Sequence, residues 1–187
     1  MCNLQRSSVG SCFWLAKSVT RQHIYSMGLR FAQQVLDSCF FVTTTFSDHR
    51  RIGEIDGVYA ELAKSLMFCL EKYPAQLPGY VFMPSHIHLL IVIDGKNLAN
   101  LMRDFKKYTS QKALKEHGIS DSRVWTPRYD RVAIHSEEAF RTKLEYIHNN
   151  PVKSGLVEKR EDWSWSSARC YTSNENGPLP VWKEWLF

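Results

Sequence analysis

Two histidines one residue apart, His86 and His88, are set into the apolar run VFMPSHIHLLIVI, residues 81–93. If that run is a strand, both imidazoles leave the same face with Cβ atoms roughly 6 to 7 Å apart, close enough to share one cation. Neutral imidazole is a good ligand for borderline divalent metals, and two ligands on a rigid strand leave coordination positions for substrate oxygens. Seven histidines in 187 residues also make a chance H-x-H an ordinary event. Buried core imidazoles are therefore the competing reading. A nucleophile nearby would separate the two. The stretch MRDFKKYTSQK, residues 102–112, carries Tyr108 at the flank of an apolar stripe centred on Phe105. A phenol with an ordinary pKa of about 10 attacks phosphorus only with help from a cation or a base. Arg103, Lys106, Lys107 and Lys112 put positive charge around it.

The surrounding elements must hold these groups. CFFVTTTF (39–46) is aromatic and β-branched, which predicts a strand, and a basic loop follows it. Ile55, Val58, Tyr59, Leu62, Leu66 and Leu70 recur at helical steps until Tyr73-Pro74. LPGYVF (77–82) and HIHLLIVI (86–93), joined by Met83-Pro84-Ser85, read as a hairpin whose second strand is apolar on both faces and hence central. Asn97 is the expected N-cap of a helix carrying Leu98, Leu101, Met102, Phe105 and Thr109, running to about His117-Gly118. VWTPRYDRVAIH (124–135) reads as a loop entering a short strand. Ser136 then caps a helix with Phe140, Leu144 and Ile147 that Asn150-Pro151 closes. The order strand, helix, strand, strand, helix, strand, helix predicts an α+β fold: a ferredoxin-like central antiparallel sheet with helices packed on it. Residues 1–36 show no sustained period and are set apart as an N-terminal extension, leaving 37–187 as one domain.

A net charge of +5 and a pI near 9.0 favour a polyanionic partner. Five scattered cysteines without C-x-x-C spacing argue against a disulfide framework or a zinc ribbon. No apolar run reaches the roughly 18 residues of a membrane span. A soluble, cytoplasmic protein is expected.

Five blocks then occur in order: GYVFMPSHIHLLIVI, FKKYTSQKAL, VWTPRYDRVAI, YIHNNPVKSGLV and WSWSSARCY. Across residues 37 to 172 the chain resembles the single-domain tyrosine transposases of the HUH single-strand DNA nuclease superfamily. Within it, the REP-associated tyrosine transposases and their insertion-sequence relatives are the most similar. The resemblance implies a metal-dependent endonuclease and strand transferase acting on single-stranded or hairpin DNA. His86 and His88 would hold Mg²⁺ or Mn²⁺, and Tyr108 would attack phosphorus to give a 5′-phosphotyrosine and a free 3′-hydroxyl. It further implies a Gln or Asn ligand four residues after the tyrosine, where this sequence has Lys112, a poor ligand. Gln111 is the nearest substitute, with an exchanged or water ligand as the alternative. Both homodimers and monomers occur among the relatives.

Trp125, Arg128, Tyr129 and Arg131 are expected to contact DNA, the arginines on phosphates and the rings by stacking on bases. Tyr146, next to Ile147, is expected to pack, and His148 and Asn149 to shape the turn before Pro151. Three rivals stand beside the enzyme: a hairpin-binding module that has lost catalysis, motivated by Lys112; a hydrolase of small phosphate esters; and histidines that only fill a core.

Overall fold

The computed structural model describes residues 38–119 and 123–184. The expected extension, residues 1–36, lies outside them. Four strands, β1 (Cys39–Thr45), β2 (Gln76–Phe82), β3 (His86–Val92) and β4 (Asp130–Ala133), form one sheet in the order β2-β3-β1-β4. Every neighbouring pair is antiparallel, and β3 is central, as its apolar character on both faces requires. Helices α1 (Val58–Lys72) and α2 (Gly95–Tyr108) connect the strands in the ferredoxin-like manner; α3 (Glu137–Lys153) and the short α4 (Ala168–Thr172) follow β4.

Strand alternation divides the molecule. Ile87, Leu89 and Ile91 face the larger core, where Leu62 and Leu66 of α1 meet Leu98, Leu101, Met102 and Phe105 of α2. Leu90 faces the other way, with Phe41 and Val81, against Phe140, Leu144 and Ile147 of α3. His86 and His88 share the parity of Leu90, so they belong to the α3 face. Gly79 of β2 lets α3 lie close, since a Cβ there would stand 2.7 Å from Leu144 Cδ1.

Three boundaries differ from the sequence reading. Asp94, not Asn97, caps α2, its Oδ1 accepting from Lys96 N at 2.9 Å. The α-helix ends at Tyr108 and widens into a π-turn over Thr109–Ala113. Buried Thr109 accounts for this: its hydroxyl bonds back to Phe105 O at 2.8 Å and accepts the indole of Trp125 at 2.9 Å. Helix α3 passes through Pro151 to Lys153. Proline there forfeits only its own N–H bond. The helix stops where Gly155 takes φ +68° and Leu156 N donates to Pro151 O at 2.9 Å.

The outer edge of β2 is covered by the tail, with Phe82 N donating to Trp165 O at 2.8 Å and Ser167 N to Tyr80 O at 3.0 Å. Among the described residues no helix is long and apolar enough to cross a membrane.

Candidate active site

The two histidine rings lie edge to face with centroids 4.6 Å apart. Register fixes them: His88 stands opposite Thr43 and His86 opposite Thr45 on β1. Thr43 Oγ1 shares a hydrogen bond of 2.8 Å with His88 Nδ1, and Ser85 Oγ one of 3.0 Å with His86 Nδ1. Both hydroxyls hold Nδ1. His88 is 4 % exposed, and its Nε2 is buried without a hydrogen-bond partner among the described residues. A buried polar atom left so is costly unless something else binds it. Burial, then the neighbouring His86 and Lys143, push the His88 pKa down to about 3; burial and His49 lower that of His86. His88 is thus neutral at physiological pH, the form that ligates metal.

Tyr146 closes the arrangement. Its ring meets His88 edge on at 5.2 Å and Phe41 at 5.8 Å, while Phe41 stacks on His88 at 5.3 Å. The tyrosine is 40 % exposed, so it is open to a strand of substrate as well as to the histidine. Lys143, one turn earlier, sets its Nζ 4.8 Å from the Phe41 ring centre and 5.9 Å from that of Tyr146. Lys153 approaches the same tyrosine ring at 5.8 Å. One turn after Tyr146 comes Asn150, 8 % exposed. Helical periodicity puts Lys143, Tyr146, Asn150 and Lys153 in one row along α3.

Tyr108 is not brought to the histidines. It sits at the end of α2, whose buried residues pack on the opposite face of the sheet. The sheet stands between them, and the expected pairing of Tyr108 with His86 and His88 is corrected on that ground. Gln111 follows it onto the π-turn, exposed, on the same far side. The side chain of Lys112 lies outside the described residues. Tyr146, expected to pack, does so against His88 and Phe41, and that packing sets it beside the histidines, where the sequence had suggested Tyr108. The signal for Tyr146 was in the sequence: Asn150 stands four residues after it, the spacing that Tyr108 lacked.

The expected DNA contacts divide as well. Trp125 is 4 % exposed, stacked on Phe46 at 4.2 Å with its indole N–H spent on Thr109, and so is a core residue. Lys106 is a peg: its Nζ donates to the carbonyls of Thr126 at 2.6 Å, Arg128 at 3.2 Å and Pro127 at 3.3 Å. Tyr129 is half-buried against the larger core. Arg103, Lys107, Arg128 and Arg131 are exposed, Arg103 bonding Asn100 Oδ1 at 2.9 Å.

No three His, Cys, Asp or Glu side chains converge on a metal position among the described residues. A cation at His86 and His88 would have to draw on an amide oxygen, for which Asn150 is the candidate, and on substrate oxygens. The bare Nε2 of His88 fits that role.

The model of the family described as "Transposase IS200 like" matches residues 41–150, more than half of the chain. A REP-associated tyrosine transposase of Escherichia coli strain K12 is 25% identical over 121 residues, covering 64% of this chain and 70% of that one. A protein of Haemophilus influenzae, given the same description provisionally, is 30% identical over 138 residues, covering 68% and 78%. Among solved structures, that of a REP-associated tyrosine transposase bound to a REP hairpin superposes with a TM-score of 0.63 at 22% identity, covering 85% of this chain and 93% of that one. That likeness establishes the fold, and the matched span holds both histidines, Tyr146 and Asn150. The chain belongs to the IS200-like transposase family.

Proposed function

We propose that this transposase cleaves and rejoins single-stranded DNA beside a hairpin, with Tyr146 as the nucleophile and His86, His88 and Asn150 as ligands of Mg²⁺ or Mn²⁺. The contact between Tyr146 and His88, whose Nε2 is buried without a partner among the described residues, carries the reading. When bound, the divalent ion supplies charge stabilisation at the oxygens around phosphorus. Thr43 and Ser85 orient the imidazoles through Nδ1, leaving Nε2 of each as the nitrogen that would ligate the ion. Tyr146 gives up its phenolic proton, its oxygen forms the bond to phosphorus, and the bond to the 3′-oxygen breaks. That oxygen takes a proton and leaves as a 3′-hydroxyl. The adduct keeps the bond energy, so the same steps reversed join a strand end to the 5′-phosphate. Lys143 and Lys153 place positive charge near the attacking ring.

Hairpin DNA is the expected substrate because the solved relative is described as bound to a REP hairpin, and because the chain is basic. With Asn150 in place of the Lys112 position, the reason for suspecting a chain that binds without cutting disappears. The test is a labelled hairpin with a single-stranded extension, incubated with Mn²⁺ and resolved on a denaturing gel. Tyr146→Phe should abolish the protein–DNA adduct and Tyr108→Phe should retain it. An adduct in Tyr146→Phe, or its loss in Tyr108→Phe alone, would overturn the assignment.

A further inference from the structure

We propose that the pocket between Tyr59, Trp163 and Trp165 takes one unpaired nucleobase of the strand that reaches Tyr146; the proposal rests on the strand-cleavage reading above. The pocket has a volume of about 360 Å³ and is lined also by Gly53, Ala60 and Pro84, a size at the small end of ligand sites. Its aromatic walls are set at different angles. Tyr59 lies 5.2 Å from Trp165 at 31° and 6.0 Å from Trp163 at 86°. Trp163 is pinned by its indole N–H, which donates to Phe82 O at 2.9 Å. That wall is therefore fixed before anything binds.

Position connects the pocket to the histidines. Gly53 N donates to Pro84 O at 2.9 Å, and Pro84 is two residues before His86, at most about 7 Å of extended chain. Pro84, in the turn that leads into His86, lines the pocket, so a strand that leaves the histidines across this turn would meet its mouth. Chemistry selects the base as the part that enters. Glu54 and Asp56 on the rim disfavour a phosphate. The Glu54 carboxylate is already held by Arg51 at 2.6 and 2.8 Å, which removes it as the counter-ion of a cationic ligand. A neutral, planar ring is what remains. The hydroxyl of Tyr59 is buried against Gly53, so its ring and not its hydroxyl is offered to a ligand. Aromatic faces tolerate any base, so the pocket reads the presence of a base more than its identity.

The experiment uses the full chain carrying Tyr146→Phe, so that the DNA stays uncut, and the hairpin with a single-stranded extension. An abasic residue is placed at each extension position in turn and affinity is measured. At one position the abasic residue should weaken binding about 5- to 150-fold, the worth of one stacked base. That loss should vanish in Trp165→Ala and in Ala60→Leu, which fills the pocket from an exposed helix position and leaves the core alone. Exchanging one base for another at that position should change affinity less than the abasic residue does. An abasic profile that is the same with and without Ala60→Leu, or an extension with no sensitive position, overturns the pocket. Should the Tyr146 chain form its adduct while the abasic profile shows no pocket, only this inference fails. A pocket-dependent profile without an adduct sinks the cleavage reading and leaves base binding standing.

Discussion

Replacing Thr43 by valine removes one oxygen from the candidate site and almost no volume. Thr43 Oγ1 lies 2.8 Å from His88 Nδ1, directly across the β1–β3 ladder. For Nε2 to offer its lone pair to a cation, Nδ1 must carry the proton and donate it to that hydroxyl. In Thr43→Val the proton on Nδ1 has no acceptor in a ring that is 4 % exposed. An unpaired buried donor costs about 1 to 3 kcal/mol. Moving the proton to Nε2 brings no relief, because Nε2 is itself buried without a partner among the described residues. A ligand ring that has lost the partner of its other nitrogen binds metal about 10- to 100-fold more weakly, so Mn²⁺ affinity should fall by that factor. Apo-protein stability should fall as well, by the cost of the unpaired buried group. Calorimetric titration with Mn²⁺ and a thermal melt of the metal-free protein measure the two separately. If Thr43→Val lowers the melting temperature while Mn²⁺ affinity equals that of the wild type, the hydroxyl only supports packing. The argument from tautomer to metal would then be wrong.

Acid sensitivity gives a second check. Burial and, secondarily, nearby positive charge lower the pKa of His88 to about 3 and of His148 to about 4. Between those values and the unfolded value of about 6.5 the unfolded chain binds more protons, so stability should fall as pH falls through that window, by up to about 1.4 kcal/mol per pH unit for each histidine. Denaturant melts from pH 7 to 4 on His148→Gln should show a shallower slope than wild type; an equal slope would contradict the assignment. Lys106→Met should free the loop at residues 126–128, whose three carbonyls it holds. Faster amide exchange there, with the adduct on Tyr146 still forming, is the expected result.

The fold was legible because the chain's patterns are local. The hairpin around Pro84, the central character of β3 and the order of elements all follow from runs a few residues long. Which face a helix covers is not local. The stripe on α2 showed that Phe105 is buried, but not on which side of the sheet. Tyr108 is near the histidines in sequence, whereas Tyr146 is far from them in sequence and near in space. Trp125 was misread for a related reason. An aromatic flanked by polar residues suggests a stacking platform, and only the tertiary structure supplies Phe46 beneath it and Thr109 as its hydrogen-bond acceptor. The helix through Pro151 was obscured because proline usually marks an end, whereas here the turn at Gly155 ends it.

Strand β3 serves two masters through parity alone. Ile87 and Leu89 answer to the larger core, and His86 and His88 face the proposed site on the other side. Adjacent codons in this segment are thus under unrelated selection: one set can drift among apolar residues of similar bulk, while the other is bound to the imidazole. The same parity makes the segment intolerant of length change. Inserting one residue inside the strand, between Ile87 and His88, would put the residues on its two sides out of phase, so that one side of the strand must face the wrong way. Over evolutionary time this strand should accept substitutions at alternate positions and almost never an insertion.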